Sequence, residues 1–278
     1  MADNQQTPAQ PGMRLIRALA GEGDRVFTME RARELAPSAG ISEGYLRQSL
    51  HHLTKSGWLV RLRKGLYSLS ATVPGITSAH EFEIAMALAP DSAISHWSAL
   101  HHYGLTEQSP RKIFVLTTTD APIPQTRSKK AGQKHGGCSV GGTIYQFIRV
   151  KPERFFGTRK VWVGDDRVTI TDPERTLLDG LMMPQYCGDF AEVLHAFAAW
   201  GDRMDLKRVV GYALKLDVAT TKRLGWVLEG QSIDPVGLEP LLNVPIKGYR
   251  TLDPTGPRKG PCNRRWMIQE NLPGKVNT

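Results

Sequence analysis

A basic hairpin preceded by three short helices constrains the fold of this chain most strongly. The run Trp58–Ser70 (WLVRLRKGLYSLS) has the pattern of two short strands joined at Arg63-Lys64-Gly65. Before it, apolar periodicity and helix-capping residues predict helices over Met13–Ala20, Met29–Leu35 and Ser42–Ser56. Three short helices followed by a basic hairpin are typical of a winged helix-turn-helix.

The third predicted helix decides whether this segment can read DNA. Its apolar residues Leu46, Leu50 and Leu53 are spaced i, i+4, i+7 and are expected to pack on the other two helices. In helix-turn-helix proteins the N-terminal turns of this helix enter the major groove, where Arg pairs with guanine and Gln with adenine. On the opposite face Gly44 permits close approach, and we expect base contacts from Tyr45, Arg47, Gln48 and His51.

Contacts with the DNA backbone are predicted around these base-reading residues. Ser42 lies at the helix N-terminus, where a phosphate is readily bound, and Lys55 lies on the exposed face. Hairpin cations suit phosphate contact or insertion into the minor groove, and here they are Arg61, Arg63 and Lys64. The alternative is a solvated face on a winged helix that binds protein.

Composition agrees with an anionic partner and with the cytoplasm. The net charge is +9 and the isoelectric point about 9.6, a balance that favours nucleic acid. Three widely spaced cysteines argue against a disulfide framework or a structural zinc site. Residues 1–12 lack the features of a signal peptide, and no stretch is apolar enough to span a membrane. We therefore expect a cytoplasmic protein without a membrane partner.

The rest of the chain predicts an α+β fold, an N-terminal winged helix-turn-helix followed by a larger mixed α/β C-terminal domain. The predicted boundaries are a disordered tail over 1–12, the DNA-binding domain over 13–72 and the C-terminal domain over 79–278. Helices are expected near His80–Ala89, Ser95–Tyr103 and Phe190–Leu228, and strands over Lys112–Thr118, Thr143–Val150, Val161–Gly164 and Arg167–Ile170. Thr171 and Glu174 fit a capping box that opens another helix.

A second basic region lies between Ala121 and Val163, with nine cations and a single acid, Glu153. Within it the Gly-rich segment 127–142 (RSKKAGQKHGGCSVGG) predicts a loop between strands. This loop would lie on DNA backbone, on RNA or on an acidic protein, or would simply be solvated.

For the residues that could suggest catalysis, we favour a structural role over a catalytic one. The pairs His51-His52 and His101-His102 point to different sides of a helix, and no H-E-x-x-H motif occurs. Ser95, His96 and Ser98 lack an identifiable third member of a hydrolytic set. We predict no metal, no cofactor and no catalytic residue. If the C-terminal domain were instead an enzyme, its candidate carboxylates would be Asp165, Asp166, Asp172 and Asp179.

Several blocks of the sequence carry a family resemblance. They are RLRKGLYSL at Arg61–Leu69, AISHWSALHHYGL at Ala93–Leu105 followed by KIFVLTT, VTITDPERTLLDGL at Val168–Leu181, and the tail Gly248–Pro273. Together they resemble the AbiEi family of antitoxins from type IV toxin–antitoxin systems. The ordered pair S-A-L-x-x-Y-G-L and T-D-x-E-R-T-L-x-D is more specific than the hairpin alone. The resemblance spans almost the whole chain from about Met13.

This resemblance implies a repressor that binds double-stranded DNA at inverted repeats upstream of its own operon. It also implies opposition to a nucleotidyltransferase-like toxin, a functional link that need not be a physical complex. Two alternatives stay open at this point. One is an enzyme, a nuclease or a protein-modifying activity, guided by the winged helix. The other is a protein-interaction module whose basic charge is incidental.

Overall fold

The computed structural model describes residues 10–118, 138–231 and 235–272 of the chain. Its elements up to residue 118 are α1 (Pro11–Gly21), β1 (Val26–Thr28), α2 (Met29–Leu35), α3 (Glu43–Lys55), β2 (Leu59–Arg63), β3 (Leu66–Leu69), α4 (Glu81–Leu88), β4 (Ser92–Ile94), α5 (His96–His102) and β5 (Lys112–Thr117). From residue 138 they are β6 (Cys138–Val140), β7 (Thr143–Arg149), β8 (Thr158–Val163), β9 (Asp166–Thr171), α6 (Pro173–Met182), α7 (Phe190–Trp200), α8 (Leu206–Lys215), α9 (Val218–Gly230), α10 (Pro235–Leu242), β10 (Arg250–Thr251), β11 (Cys262–Asn263) and β12 (Ile268–Gln269).

These elements form two units, and the fold is mixed α+β as predicted. The first unit holds the described residues of 1–90, 121–145 and 162–167, and the second those of 91–120, 146–161 and 168–278. Among the described residues no helix combines the length and the apolar character needed to cross a bilayer.

The core of the first unit is the apolar face predicted from the sequence. Leu46, Leu50 and Leu53 of α3 are buried, and they belong to one cluster with Leu15, Ile16 and Leu19 of α1. Thr28 caps α2 as predicted, since its side chain accepts from the Arg31 amide at 3.3 Å. The helix α1 begins at Pro11 rather than at the predicted Met13. Residues 1–9 lie outside the described part.

A three-stranded antiparallel sheet, ordered β1–β3–β2, completes this core. The hairpin β2–β3 was predicted, whereas β1 was not. Phe27 of β1 lies opposite Tyr67 of β3, and their rings stack with centroids 5.8 Å apart. A register shift between Arg61 and Arg63 interrupts the β2–β3 pairing. Such an irregularity changes the side-chain alternation that a regular strand would have.

The second unit combines strand pairs with a helical core. β4 pairs antiparallel with β5 and parallel with β9 through Ile94 and Ile170. The predicted helical block Phe190–Leu228 consists of α7, α8 and α9.

The segment after Pro245, predicted to be irregular, contains the short sheet β10–β12–β11. There Trp266 is fully buried against Gly225, whose absent Cβ would lie 2.0 Å from the indole, so this packing requires glycine.

The predicted capping box at the start of α6 is wrong in its partners. Asp172, not Thr171, is the N-cap and accepts from the Arg175 amide at 2.8 Å. The Thr171 hydroxyl instead lies 2.7 Å from that of Thr176. The Glu174 carboxylate accepts from the amide of Asp205, the N-cap residue of α8, and from the Trp200 indole. Glu174 therefore ties three helices together rather than capping its own.

Candidate nucleic-acid interface

A groove of about 840 Å³ lies between α2, α3 and the β2–β3 hairpin. Four predicted DNA-binding residues line it: Arg47, His51, Arg61 and Lys64. The remaining lining residues are Met29, Glu30, Arg33, Thr54, Gly65 and Tyr67. The groove thus gathers cations from three elements into one concave surface.

The hairpin tip is held against the start of α2 by the backbone. The Met29 amide donates to the Gly65 carbonyl at 2.9 Å, and Thr28 of β1 pairs with Leu66 of β3. The turn between the strands is only Lys64-Gly65, and Gly65 has φ of +75°, which favours glycine. These backbone contacts therefore fix the position of the turn that carries Lys64 beside the groove.

The exposed side of α3 divides into two flanks. Arg47 and His51 face the groove, together with Thr54. Tyr45 lies on the other flank, where it lines a separate groove of about 350 Å³ with His52 and residues 10–13. The Tyr45 side chain is 53% exposed. The structure therefore does not bring Tyr45 together with the other predicted base-reading residues.

The other predicted contact residues occupy three further places. Gln48 and Lys55 are exposed on α3, and Ser42 is its N-cap residue, whose side chain makes no capping hydrogen bond. Arg63 lies after the β2 irregularity and lines a different groove, with Asp24 and Glu83. Its Nε atom is buried without a hydrogen-bond partner among the described residues. Of the predicted basic loop, residues 127–137 lie outside the described part, and 138–142 form β6 and its turn.

Sequence reasoning missed two charged groove residues, Glu30 and Arg33 of α2. Arg33 pairs with Glu43 across α2 and α3 at 3.1 Å and is 44% exposed. The i, i+4 spacing places Met29 and Arg33 on one face of α2, but only the packing of α2 beside the hairpin makes that face part of the groove. The Glu30 carboxylate has a lowered pKa because its own backbone N–H, and secondly the Thr28 hydroxyl, donate to it.

Elsewhere in the first unit, the candidate carboxylates Asp165 and Asp166 pair with Arg25. Asp166 lies 3.0 Å from the Arg25 guanidinium, and the exposed Asp165 lies 3.8 Å from it. Burial, and secondly the Asp166 charge, raise the pKa of Glu83 to about 7. Asp166 and Glu83 therefore form a carboxyl pair with the Arg25 guanidinium beside them.

The raised pKa of Glu83 predicts that stability falls as pH rises. Because the folded protein holds this proton more tightly, its stabilising contribution is complete below about pH 4.5 and lost by about pH 7. Glu83→Gln mimics the protonated carboxyl, so at pH 8 we expect it to be about 1–3 kcal/mol more stable than wild type. Urea unfolding at pH 5 and pH 8 measures this. Equal wild-type and variant stability at both pH values would contradict it.

The candidate carboxylates of the second unit take part in hydrogen bonds and ion pairs within the fold. Asp172 caps α6 and accepts from the Tyr212 hydroxyl at 2.9 Å. Asp179 pairs with Arg175 at 2.9 Å, and both side chains are at most 1% exposed. Among the described residues no group of three His, Cys, Asp or Glu side chains is arranged to hold a metal ion.

Ser95 and His96 also lie in the interior of the second unit. The Ser95 hydroxyl is 2.9 Å from His96 Nδ1, both residues are fully buried, and His96 has φ of +49°. Burial lowers the pKa of His96 to about 4, with Asp179 exerting a smaller opposing effect. Substrate cannot reach a pair with no exposed surface, so this geometry favours a structural role.

Comparison with known proteins identifies the first part of the chain. Residues 14–70 match a family described as transcriptional regulator, AbiEi antitoxin. Residues 14–70 are of the AbiEi type. This confirms the resemblance over a segment that begins within α1, extends past β3 and includes every residue that lines the groove. The blocks at Ala93–Leu105 and Val168–Leu181 lie outside the matched segment.

A solved structure supports the fold over a longer span. The chain is similar to the crystal structure of the RV2827C protein from Mycobacterium tuberculosis, with 14% sequence identity and a TM-score of 0.66. The alignment covers 95% of this chain and 92% of that one. At this identity the similarity establishes the fold alone. No curated protein matches the chain in sequence.

Proposed function

We propose that the AbiEi-type segment is a winged helix-turn-helix that binds double-stranded DNA. In this proposal α3 enters the major groove and the β2–β3 hairpin is the wing. The observation that carries it is the groove, where Arg33, Arg47, Arg61 and Lys64 converge from α2, α3 and the hairpin. Converging cations on a concave surface suit a phosphate backbone and the edges of bases.

In this proposal the DNA contacts fall into two classes, which the positions of the side chains support. Arg47 and Gln48, on the exposed side of α3, are assigned to base edges, and His51 lies beside Arg47 in the groove. Arg61 and Lys64 are assigned to phosphates. The two-residue turn Lys64-Gly65 is short, which favours contact with the backbone over deep insertion into the minor groove. Ser42, Lys55 and Tyr45 flank these contacts.

The family match supports a regulator linked to a toxin–antitoxin system. We propose that the protein acts in the cytoplasm, binds inverted repeats upstream of its own gene and represses that operon. The second role is to oppose a nucleotidyltransferase-like toxin, without requiring a stable complex. Co-expression tests this role, because the chain should restore growth to cells that produce the neighbouring toxin.

Substitutions on α3 test the proposed docking. Arg47→Ala or Gln48→Ala should each cost about 1–3 kcal/mol of binding free energy on the cognate site and relax its specificity. Binding to an unrelated duplex should change much less. Gel-shift titration with both duplexes measures this, and His52→Ala, on the opposite flank of α3, is the matched control. Equal losses on both duplexes would assign these residues to phosphates instead.

Gly44 gives a prediction in which stability and binding change in opposite directions. A Cβ at this helical position would meet nothing within 4 Å, so Gly44→Ala should stabilise the protein by about 0.5–1 kcal/mol. The added methyl would separate the start of α3 from the bases, and cognate affinity should fall. Thermal unfolding and gel shift measure the two effects. A stabilised variant with unchanged affinity would show that the start of α3 does not approach the DNA closely.

A further inference from the structure

We infer that Glu30 determines DNA specificity by excluding phosphate from its corner of the groove and accepting a hydrogen bond from the exocyclic amine of cytosine or adenine. This inference rests on the proposed DNA-binding function. Glu30 is the single carboxylate among the described lining residues, which also include four cations and one histidine. It is also exposed, so a DNA duplex in the groove can reach it.

The Glu30 carboxylate is held as an anion at the start of α2. Its own backbone N–H and the Thr28 hydroxyl donate to it, and both favour the charged form. The same Thr28 oxygen accepts from the Arg31 amide at 3.3 Å. The side chain therefore carries a negative charge at the rim of the groove.

The start of α2 offers no replacement site for a phosphate. The Met29 amide donates to Gly65, the Arg31 amide to Thr28, and the Glu30 amide to its own carboxylate. An incoming phosphate would meet a fixed negative charge and occupied amides. The backbone contacts are thereby restricted to the cations on the other sides of the groove.

Base edges respond differently to this carboxylate. In the major groove cytosine N4 and adenine N6 are donors, whereas guanine O6 and N7 and thymine O4 are acceptors. A fixed carboxylate accepts from the first pair and is repelled by the second. Glu30 thus lowers affinity for DNA in general, and a suitably placed amine at the cognate site offsets that loss.

Glu30→Gln, with Glu34→Gln as the matched control, tests the inference. Glu34 lies on the same helix, is 64% exposed and pairs with Arg31 at 2.9 Å, but does not line the groove. The probes are the duplex upstream of the gene, its single-base variants and an unrelated duplex of equal length. Glu30→Gln should bind the unrelated duplex about three- to tenfold more tightly at 0.1 M salt, and the selectivity ratio should fall.

The base scan adds a readout that loss of charge alone would not change. In wild type, one position should reject guanine and thymine, and Glu30→Gln should lose that rejection. If Glu30→Gln behaves like Glu34→Gln on every duplex, the inference is overturned while the DNA-binding function stands. If wild type binds all duplexes equally or none, both the function and the inference are overturned.

Discussion

Asp179→Asn is expected to lower the free energy of unfolding by about 3–5 kcal/mol, because it leaves the buried Arg175 charge without a counter-charge. Arg175 Nε donates to Asp179 at 2.9 Å, and the guanidinium also donates to the Arg154 carbonyl at 2.8 Å. It lies 4.5 Å from the centroid of the Phe156 ring. Because an arginine side chain does not deprotonate in proteins, the variant would bear the full free-energy cost of a buried, unpaired charge.

Urea unfolding followed by tryptophan fluorescence measures this loss. Arg265→Gln is the control, because Arg265 is 49% exposed and its pair with Glu229, at 2.8 Å, belongs to the same unit. The control should lose less than about 1 kcal/mol. The combined variant Arg175→Met, Asp179→Leu should recover part of the loss, since an apolar pair removes both charges. An Asp179→Asn variant as stable as the control would refute the structural role of the pair.

Arg61→Ala combined with Lys64→Ala is expected to weaken binding to every duplex by about 10- to 100-fold at 0.1 M salt. Each phosphate contact contributes about 0.9 to the dependence of log affinity on log salt, so the slope should fall by about 1.8. Selectivity between cognate and unrelated DNA should be nearly unchanged, because phosphates carry no sequence information directly. Gel-shift titrations at several salt concentrations provide both quantities.

Arg63→Ala tests whether Arg63 contacts DNA, as the sequence predicts, or lies away from it, as its position in the structure indicates. The sequence groups Arg63 with its neighbours Arg61 and Lys64, whereas in the structure it lines a different groove, with Asp24 and Glu83. We therefore expect a change in slope below about 0.5 for Arg63→Ala. If Arg63→Ala changed the salt slope as much as Lys64→Ala does, Arg63 would be a DNA contact after all.

Local signals predicted the elements that local interactions determine. Helix α2 has the predicted bounds, because Thr28 caps it and Pro37 follows it. The strands β1, β4 and β6 each have only three residues. β1 and β4 pair with strands far along the chain, whereas β6 forms a hairpin with β7 through Gly141-Gly142. Their sequences contain no alternation long enough to predict them.

The lining of the groove between α2, α3 and the hairpin was predictable only in part. Arg47 and His51 follow from the helical periodicity of α3, because Leu46 and Leu50 fix its buried side. Arg61 and Arg63 should share a face in a regular strand, and no residue pattern indicates the register shift between them. Glu30 and Arg33 become groove residues only when α2 meets the hairpin, which is a tertiary contact. The predicted cap at Thr171 was wrong because Asp172 accepts the Arg175 amide, while the Thr171 hydroxyl lies against that of Thr176.

Titration of the wild-type protein against the duplex upstream of its own gene tests the central claim most directly. An unrelated duplex of equal length serves as the reference, and salt is varied between about 50 and 200 mM. The account predicts selective binding to the upstream duplex, with affinity that decreases steeply as salt increases. Equal affinity for both duplexes at every salt concentration, or no binding at the lowest, would contradict a sequence-specific regulator.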